Sequence, residues 1–217
     1  MTLIFSLQVR VMLQHVLEEK ENKIVVTLLQ QGMTESSYWL SWLATAGIKY
    51  GALVTVIVVV CRLVGIFKYS NVLVVLAFYL SFTCACASFV VMMSTIFSEA
   101  RVGGGVGMLL YLVCSAPSFF LLDQGTNQGL ILGVSLLAPT AFGAGNQLIQ
   151  RLEEQGLGMT GATMFDASAT ESPVSFGALM IAMLVDAALY GVIGWYLQQV
   201  VPTDYGITLP PCFCCMR

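Results

Sequence analysis

Long apolar stretches separated by short polar links dominate the pattern of hydrophobic and polar positions along the chain. Four of them, at about 38–60, 72–97, 102–122 and 174–201, reach the roughly 20 predominantly apolar residues that a membrane-spanning helix needs. The first contains a β-branched block at 53–61 that would favour a strand in water, but in lipid only a helix satisfies its own backbone. The pattern therefore predicts four transmembrane helices.

The polar links predict how these helices follow one another. The link at 62–71 is a short hairpin, and the link at 98–101 is an even tighter turn, so the second and third spans are expected to be antiparallel neighbours. The region 123–173 is longer than a loop without structure of its own. Its apolar first part is too short to span, so we expect an extracellular re-entrant or interfacial segment followed by a solvent-exposed loop.

The part of the chain before the first span has an apolar beginning and a charged continuation. Residues 1–13 are interpreted as the end of a truncated transmembrane helix. Residues 14–35 combine apolar positions at nearly helical spacing with the charged run 18–23, which predicts an amphipathic helix that stops near Gly32. A solvated connector is the alternative. Basic residues flanking the spans weakly favour a cytoplasmic location for this segment and for the tail at 202–217.

Composition places the chain in lipid. Hydrophobic residues make up 58% of the 217 residues and charged residues 10%, whereas a soluble domain carries about a quarter charged residues. A domain of this size could not bury so much apolar surface in water. The net charge of −3 comes without a basic stripe, which argues against nucleic acid as a partner. We expect an integral, multi-pass membrane protein with an all-α fold.

Side chains with catalytic or ligand-binding chemistry are sparse. The sole histidine, His15, lies in the amphipathic segment, and the chain has no Gly-x-x-x-x-Gly-Lys-Ser/Thr phosphate loop. We therefore expect no enzyme activity, metal or cofactor in the chain itself. Asp186 is the one acidic residue well inside a span, where a charge costs about 2.5–3.5 kcal/mol. Lys49 and Tyr190 are its candidate partners, for a structural hydrogen bond or for a role in the substrate path or in conformational switching.

Several short blocks, in a fixed order over nearly the whole chain, carry a family resemblance. They are Glu19-Lys20-Glu21 with Gly32-Met33 and 38–42; 94–100 with Val106-Gly107; 137–143 with 153–158; and Asp186 with Leu189-Tyr190, Trp195-Tyr196, Pro202 and Tyr205-Gly206. Each block is weak alone, and the combination is specific. In this combination the chain resembles the membrane domain of the A subfamily of ABC transporters, which is of the ABC-2 type.

The resemblance implies a fold and a contact surface. The fold is a polytopic transmembrane helical bundle of the ABC-2, or type V exporter-like, class, of which the chain would be an incomplete half. The segment 16–31 would be the cytoplasmic coupling helix, a charged rod continuous with two spans. The residues that it would use toward a nucleotide-binding domain are Glu19, Lys20, Glu21 and Gly32.

The resemblance also implies an outward-side helical hairpin and a set of partners. The hairpin would contain Pro139, Thr140, Phe142 and Gly143. ATP and magnesium would be bound by a separate or missing nucleotide-binding domain, and a second membrane half and membrane lipids would be the remaining partners. The expected function is the translocation part of an ATP-driven transporter of lipids or other amphiphiles. A truncated, non-transporting membrane scaffold or remnant is the alternative.

Overall fold

The computed structural model describes residues 2–121, 128–167 and 172–201, and every regular element among them is a helix. The helices are α1 (Thr2–Glu21), α2 (Ile24–Gln30), α3 (Glu35–Val64), α4 (Val72–Ile96), α5 (Ala100–Ser115), α6 (Ser118–Leu121), α7 (Gln128–Val134), α8 (Ala138–Glu154) and α9 (Phe176–Val200). Within these residues, four stretches are long and apolar enough to cross a membrane: Ser36–Val64, Val72–Ile96, Ala100–Phe120 and Phe176–Val200. The predicted all-α membrane fold with four spans is confirmed.

Two of the spans differ in detail from the prediction. The first is longer, since Thr34 accepts a hydrogen bond from the Ser37 amide at 3.3 Å and starts α3 early. It ends only at Gly65, whose φ of 87° lies in the left-handed region. The third span is interrupted between α5 and α6, because Pro117 has no amide to continue the helix.

Helix α4 is the most enclosed of the spans. It packs along α9 and also contacts α3, α1 and α8. Its aromatic rings surround Phe142 of α8, with Phe82 stacked on Phe142 at a centroid distance of 3.8 Å and Phe5 of α1 in edge contact with Phe142 at 5.0 Å. The core is therefore an aromatic cluster that joins three helices.

Helix α1 runs without a break through the boundary expected at residues 13 and 14. One face of it is buried from end to end, at Phe5, Val9, Met12, Leu13, Val16 and Leu17. This spacing is that of a single helical face. The structure thus differs from the expected division into the end of one helix and a separate amphipathic segment, because one hydrophobic face continues through both.

A run of glycines lets α5 approach α1 closely. A methyl group at Gly107 would meet the Leu13 side chain, and one at Gly103 would meet Leu17. Gly105 points away from this contact and has open space around it. Small residues commonly serve this purpose between membrane helices, where packing replaces the hydrophobic effect.

In the region 123–173, where a re-entrant or interfacial segment and an exposed loop are expected, the start of α8 packs beside Ala85 and Ala187, in the middle of α4 and α9. The described part of this region contains α7 and the 17-residue helix α8, and most of the first half of α8 is buried in the bundle. The expected tail at 202–217 lies outside the described residues. We refer to the two ends of the bundle as the α2 end, which includes the ends of α1, α4 and α9, and the α8 end.

Candidate functional site

The last turn of α1 carries Glu19, Lys20 and Glu21, and each side chain contacts a different element. The helix ends there because the backbone at Lys23 turns into the left-handed region, with φ of 57°. Consecutive residues of a helix point in directions about 100° apart. Three neighbouring side chains can therefore reach three neighbouring helices, and we call these three residues the α1 clamp.

Glu19 joins α1 to the beginning of α3. The hydroxyl of Tyr38 donates a hydrogen bond to Oε2 of Glu19, with 2.7 Å between the oxygens. Tyr38 is buried and its ring packs edge-on against Trp39 at 5.2 Å between centroids. A hydrogen bond to a charged acceptor is stronger than a neutral one, so this contact fixes the start of α3 on α1.

Lys20 joins α1 to the end of α4. Its ammonium group donates to the backbone oxygens of Ser94, at 3.1 Å, and Phe97, at 3.4 Å. The last carbonyl groups of a helix have no partner inside the helix and carry a partial negative charge. The Lys20 ammonium group supplies a hydrogen-bond donor to these carbonyl oxygens and a positive charge beside them, so Lys20 acts as a side-chain cap for α4.

Glu21 joins α1 to the beginning of α5. Its Oε2 accepts a hydrogen bond from the backbone amide of Ala100 at 3.4 Å. Ala100 is the first residue of α5, where amides are unpaired and a carboxylate is favoured by the helix dipole. The α1 clamp therefore holds α3, α4 and α5 at one end of the bundle.

Helix α2 connects the clamp to α3 as a short, separate element. It is seven residues long, and none of its residues is fully buried. Gly32, at φ of 96°, ends the segment as the sequence suggested. The expected continuous rod over 16–31 is instead two helices joined at Lys23, because that residue leaves helical geometry.

The structure does not bring Asp186 and Lys49 together. Asp186 is completely buried on α9, and neither carboxyl oxygen has a hydrogen-bond partner among the described residues. Lys49 is exposed and lines a cleft of about 290 Å³ between α1, α2 and α3, together with Glu19 and Tyr38. Neither of the two expected partners, Lys49 or Tyr190, forms a hydrogen bond with Asp186.

The predicted hairpin residues occupy the first two turns of α8 and are buried. The Thr140 hydroxyl donates to the backbone oxygen of Cys114 on α5. Phe142 fills the centre of the aromatic cluster, and Gly143 leaves room for Ser118. Pro139 stands at the helix start, where its missing amide has no consequence. These residues attach α8 to the spans.

Sequence reasoning missed the residue that holds the other end of α8. Glu153 accepts hydrogen bonds from the backbone amides of Lys68 and Tyr69, both at 3.0 Å, and of Ser70, at 2.7 Å. The Ser70 hydroxyl in turn accepts from the Met159 amide at 2.8 Å. We call this contact between α8 and the α3–α4 turn the Glu153 latch.

The latch changes the acidity of Glu153. Burial by itself would raise the pKa of this carboxyl group. The hydrogen bonds from Ser70, Tyr69 and Lys68 outweigh burial and leave the pKa below its usual value of 4.5. Glu153 is therefore ionised over the physiological pH range and binds the turn as an anion.

Comparison with known proteins assigns the architecture. A family model described as "ABC-2 family transporter protein" matches residues 1–196. The chain belongs to the ABC-2 transporter family. The predicted resemblance is confirmed, and so is the assignment to multi-pass integral membrane proteins. Within the described residues of this ABC-2 membrane domain, no group of three or more His, Cys, Asp or Glu side chains could hold a metal ion.

Relatives of this ABC-2 chain belong to the A subfamily. The retinal-specific phospholipid-transporting ATPase ABCA4 of Bos taurus is 31% identical over 212 residues, which cover 97% of this chain and 9% of that protein. ATP-binding cassette sub-family A member 7 of Rattus norvegicus is 31% identical, with 97% and 10% covered. The glucosylceramide transporter ABCA12 of Homo sapiens is 25% identical over 194 residues, with 88% and 8% covered. The chain thus spans about a tenth of the length of these relatives.

Proposed function

We propose that this ABC-2 membrane domain is the translocation part of an ATP-driven transporter of lipids or other amphiphiles. A nucleotide-binding domain outside this sequence would hydrolyse ATP, and a second membrane half would complete the path. The names of the relatives support the substrate class, since one is called phospholipid-transporting and another a glucosylceramide transporter. No residue of the chain takes part in the hydrolysis in this proposal.

The α1 clamp is the observation on which the proposal depends. Helix α2 lies at the end of the bundle with partly exposed side chains, so a nucleotide-binding domain could press against it. Glu19, Lys20 and Glu21 bind three other helices and are thus engaged within the domain. We therefore assign docking of the nucleotide-binding domain to α2. The clamp would transmit the resulting movement of α2 to α3, α4 and α5.

The clamp can be tested by separating ATP hydrolysis from transport. The domain is reconstituted into liposomes with its nucleotide-binding domain, and ATPase rate and movement of a fluorescent phospholipid are measured together. Tyr38→Phe removes the hydroxyl that binds Glu19 and keeps the ring. We expect ATP hydrolysis to continue while the lipid moved per ATP falls severalfold.

Glu18→Gln is the matched control, since Glu18 neighbours the clamp but is 57% exposed and lies 3.9 Å from His15. It should leave the lipid moved per ATP unchanged. Equal ratios of transport to hydrolysis in wild type and Tyr38→Phe would refute the transmitting role. Lipid movement that does not respond to ATP in the wild-type assembly would favour the non-transporting scaffold.

A further inference from the structure

Asp186 is the one charge-bearing side chain among the fully buried residues of the described chain. Its exposed fraction is 0%, and both carboxyl oxygens lack a hydrogen-bond partner among those residues. An ionised carboxylate in such a place has lost its water and gained no donor, which is among the most unfavourable arrangements in a membrane protein. The side chain must therefore be stabilised in another form.

Asp186 lies where α9 meets the beginning of α8. One turn further along α9, the Tyr190 hydroxyl accepts from the Ala138 amide at 3.4 Å and lies 3.5 Å from the backbone oxygen of Leu136. Ala187 packs with Ala85 and Ala138 in the same place. A charge on Asp186 would therefore develop inside the junction of α4, α8 and α9.

Among the described residues, the titratable groups around this junction supply no compensating cation. Tyr190 interacts electrostatically with Asp186, with Cys86 of α4 and with Cys114 of α5, and Cys86 interacts in the same way with Tyr111 of α5. The start of α8 contributes Ala138, Pro139 and Thr140, none of which titrates. Tyrosine and cysteine side chains are uncharged near neutral pH, so none of these neighbours offsets a charge on Asp186.

We propose that Asp186 is a proton-binding site, protonated when α8 and α9 are packed as they are here, and that loss of the proton to water loosens this junction. A neutral carboxyl group has no charge to solvate and can donate its own proton. Two other buried hydroxyls, those of Tyr111 and Ser135, also lack partners among the described residues. Ser135 directly precedes Leu136, whose backbone oxygen lies 3.5 Å from the Tyr190 hydroxyl. The proposal does not depend on transport activity.

Equilibrium unfolding against pH tests this site. The purified domain in mild detergent is unfolded by titration with SDS at pH 5 to 8. The folded state would bind one more proton than the unfolded state, so the folding constant should fall up to about tenfold for each unit of rising pH. Asp186→Asn, which mimics the neutral acid, should remove this dependence. Asp166→Asn, at an exposed aspartate, should keep it.

Infrared difference spectra provide a second readout, whose decisive spectrum is that of the wild-type protein. Carbon-13 labelling of aspartate should shift a carbonyl band of a protonated acid in the wild-type protein at pH 7, and Asp186→Asn should lack that band. A wild-type spectrum with carboxylate bands only would overturn the proposal. A pH dependence of stability that Asp186→Asn retains would also overturn it. So would a change in stability when sodium replaces choline in the buffer at fixed pH, because that result would indicate a cation site.

Discussion

Lys20 contributes to stability through charged hydrogen bonds to the end of α4. Lys20→Met keeps the length of the apolar stem and removes the ammonium group, so the oxygens of Ser94 and Phe97 lose their donor. We expect the free energy of unfolding to fall by about 1.5–3 kcal/mol, the usual range for hydrogen bonds to charged groups. SDS titration of the domain in mild detergent measures this loss. Arg10→Met, at an exposed position of the same helix, should cost less than about 0.5 kcal/mol, and equal losses would contradict the capping role.

Glu153 should stabilise the domain in a way that depends on pH. The pKa of Glu153 is lowered in the folded state, so its contribution is fully present above the usual value of 4.5 and is lost as pH falls through the lowered folded value. At neutral pH, Glu153→Gln should lower the unfolding temperature, because an amide accepts fewer of the three backbone donors.

Glu154→Gln provides the comparison for the latch, since Glu154 is the exposed neighbour on the same helix. It should change the unfolding temperature little at any pH. The difference in unfolding temperature between the wild-type protein and Glu153→Gln should stay the same from pH 7 to pH 5 and shrink only in stronger acid. Convergence of the two proteins already at pH 6 would show that the latch is not an ionised carboxylate.

The residues of the clamp and the latch show how far single residues can be predicted from sequence. Their residue types indicate a role, because charged residues are rare in such an apolar chain. Their partners cannot be predicted from the sequence, because Lys20 and Ser94 are 74 positions apart and Glu153 and Ser70 are 83 apart. Only the packing of whole helices brings these groups together. Packing also decides the case of Tyr190, which lies one turn from Asp186 but whose hydroxyl contacts the backbone of Ala138 and Leu136 instead.

At the scale of elements, the glycines of α5 offer a test of helix packing. Gly107→Ile would place its side chain against Leu13, whose nearest atom lies 2.5 Å from the position of an added Cβ. Overpacking of this kind costs about 1–3 kcal/mol, and α1 should be pushed away from α5. Gly105→Ile, two residues earlier and facing open space, should be tolerated. Similar SDS unfolding curves for the two variants would contradict the close contact.

Hydropathy predicts well those helices that lipid surrounds. The four spans follow from apolar length alone, since each must satisfy its backbone within a helix. Helix α8 could not be found in this way, because its buried first half is rich in alanine and glycine and its last turn is charged. Hydropathy also predicts a boundary in α1 at residues 13 and 14, because the charged residues near its end lower the local hydropathy. The hydrophobic face of α1 nevertheless runs through the whole helix.

At the scale of the whole molecule, α4 is held at both ends by groups from other helices. Lys20 binds its last carbonyl groups at the α2 end, while the latch binds Ser70, just before its first residue, at the α8 end. Helix α4 also packs along α9 and contributes Phe78, Tyr79, Phe82 and Phe89 to the aromatic core. A displacement of α2 would therefore be carried along a rigid, central helix to α8, which is the mechanical requirement of the proposed function.

The arrangement of the two ends predicts which residues are reachable from each side of a membrane. Glu18 lies in the last turns of α1 at the α2 end, and Glu154 lies at the end of α8, and the three spans formed by α3, α4 and α5 separate them along the chain. Glu18→Cys and Glu154→Cys, each made in a background without other cysteines, should react with a membrane-impermeant maleimide from opposite sides of sealed vesicles. Both positions are exposed, so a lack of reaction would not come from burial. Because α3, α4, α5 and α9 alternate in direction, an even number of crossings between a labelled pair would put both on one side. Labelling of both cysteines from the same side would therefore mean that the last turns of α1 and α8 do not lie at opposite ends of the bundle, and the clamp and the latch could not act on opposite ends of α4.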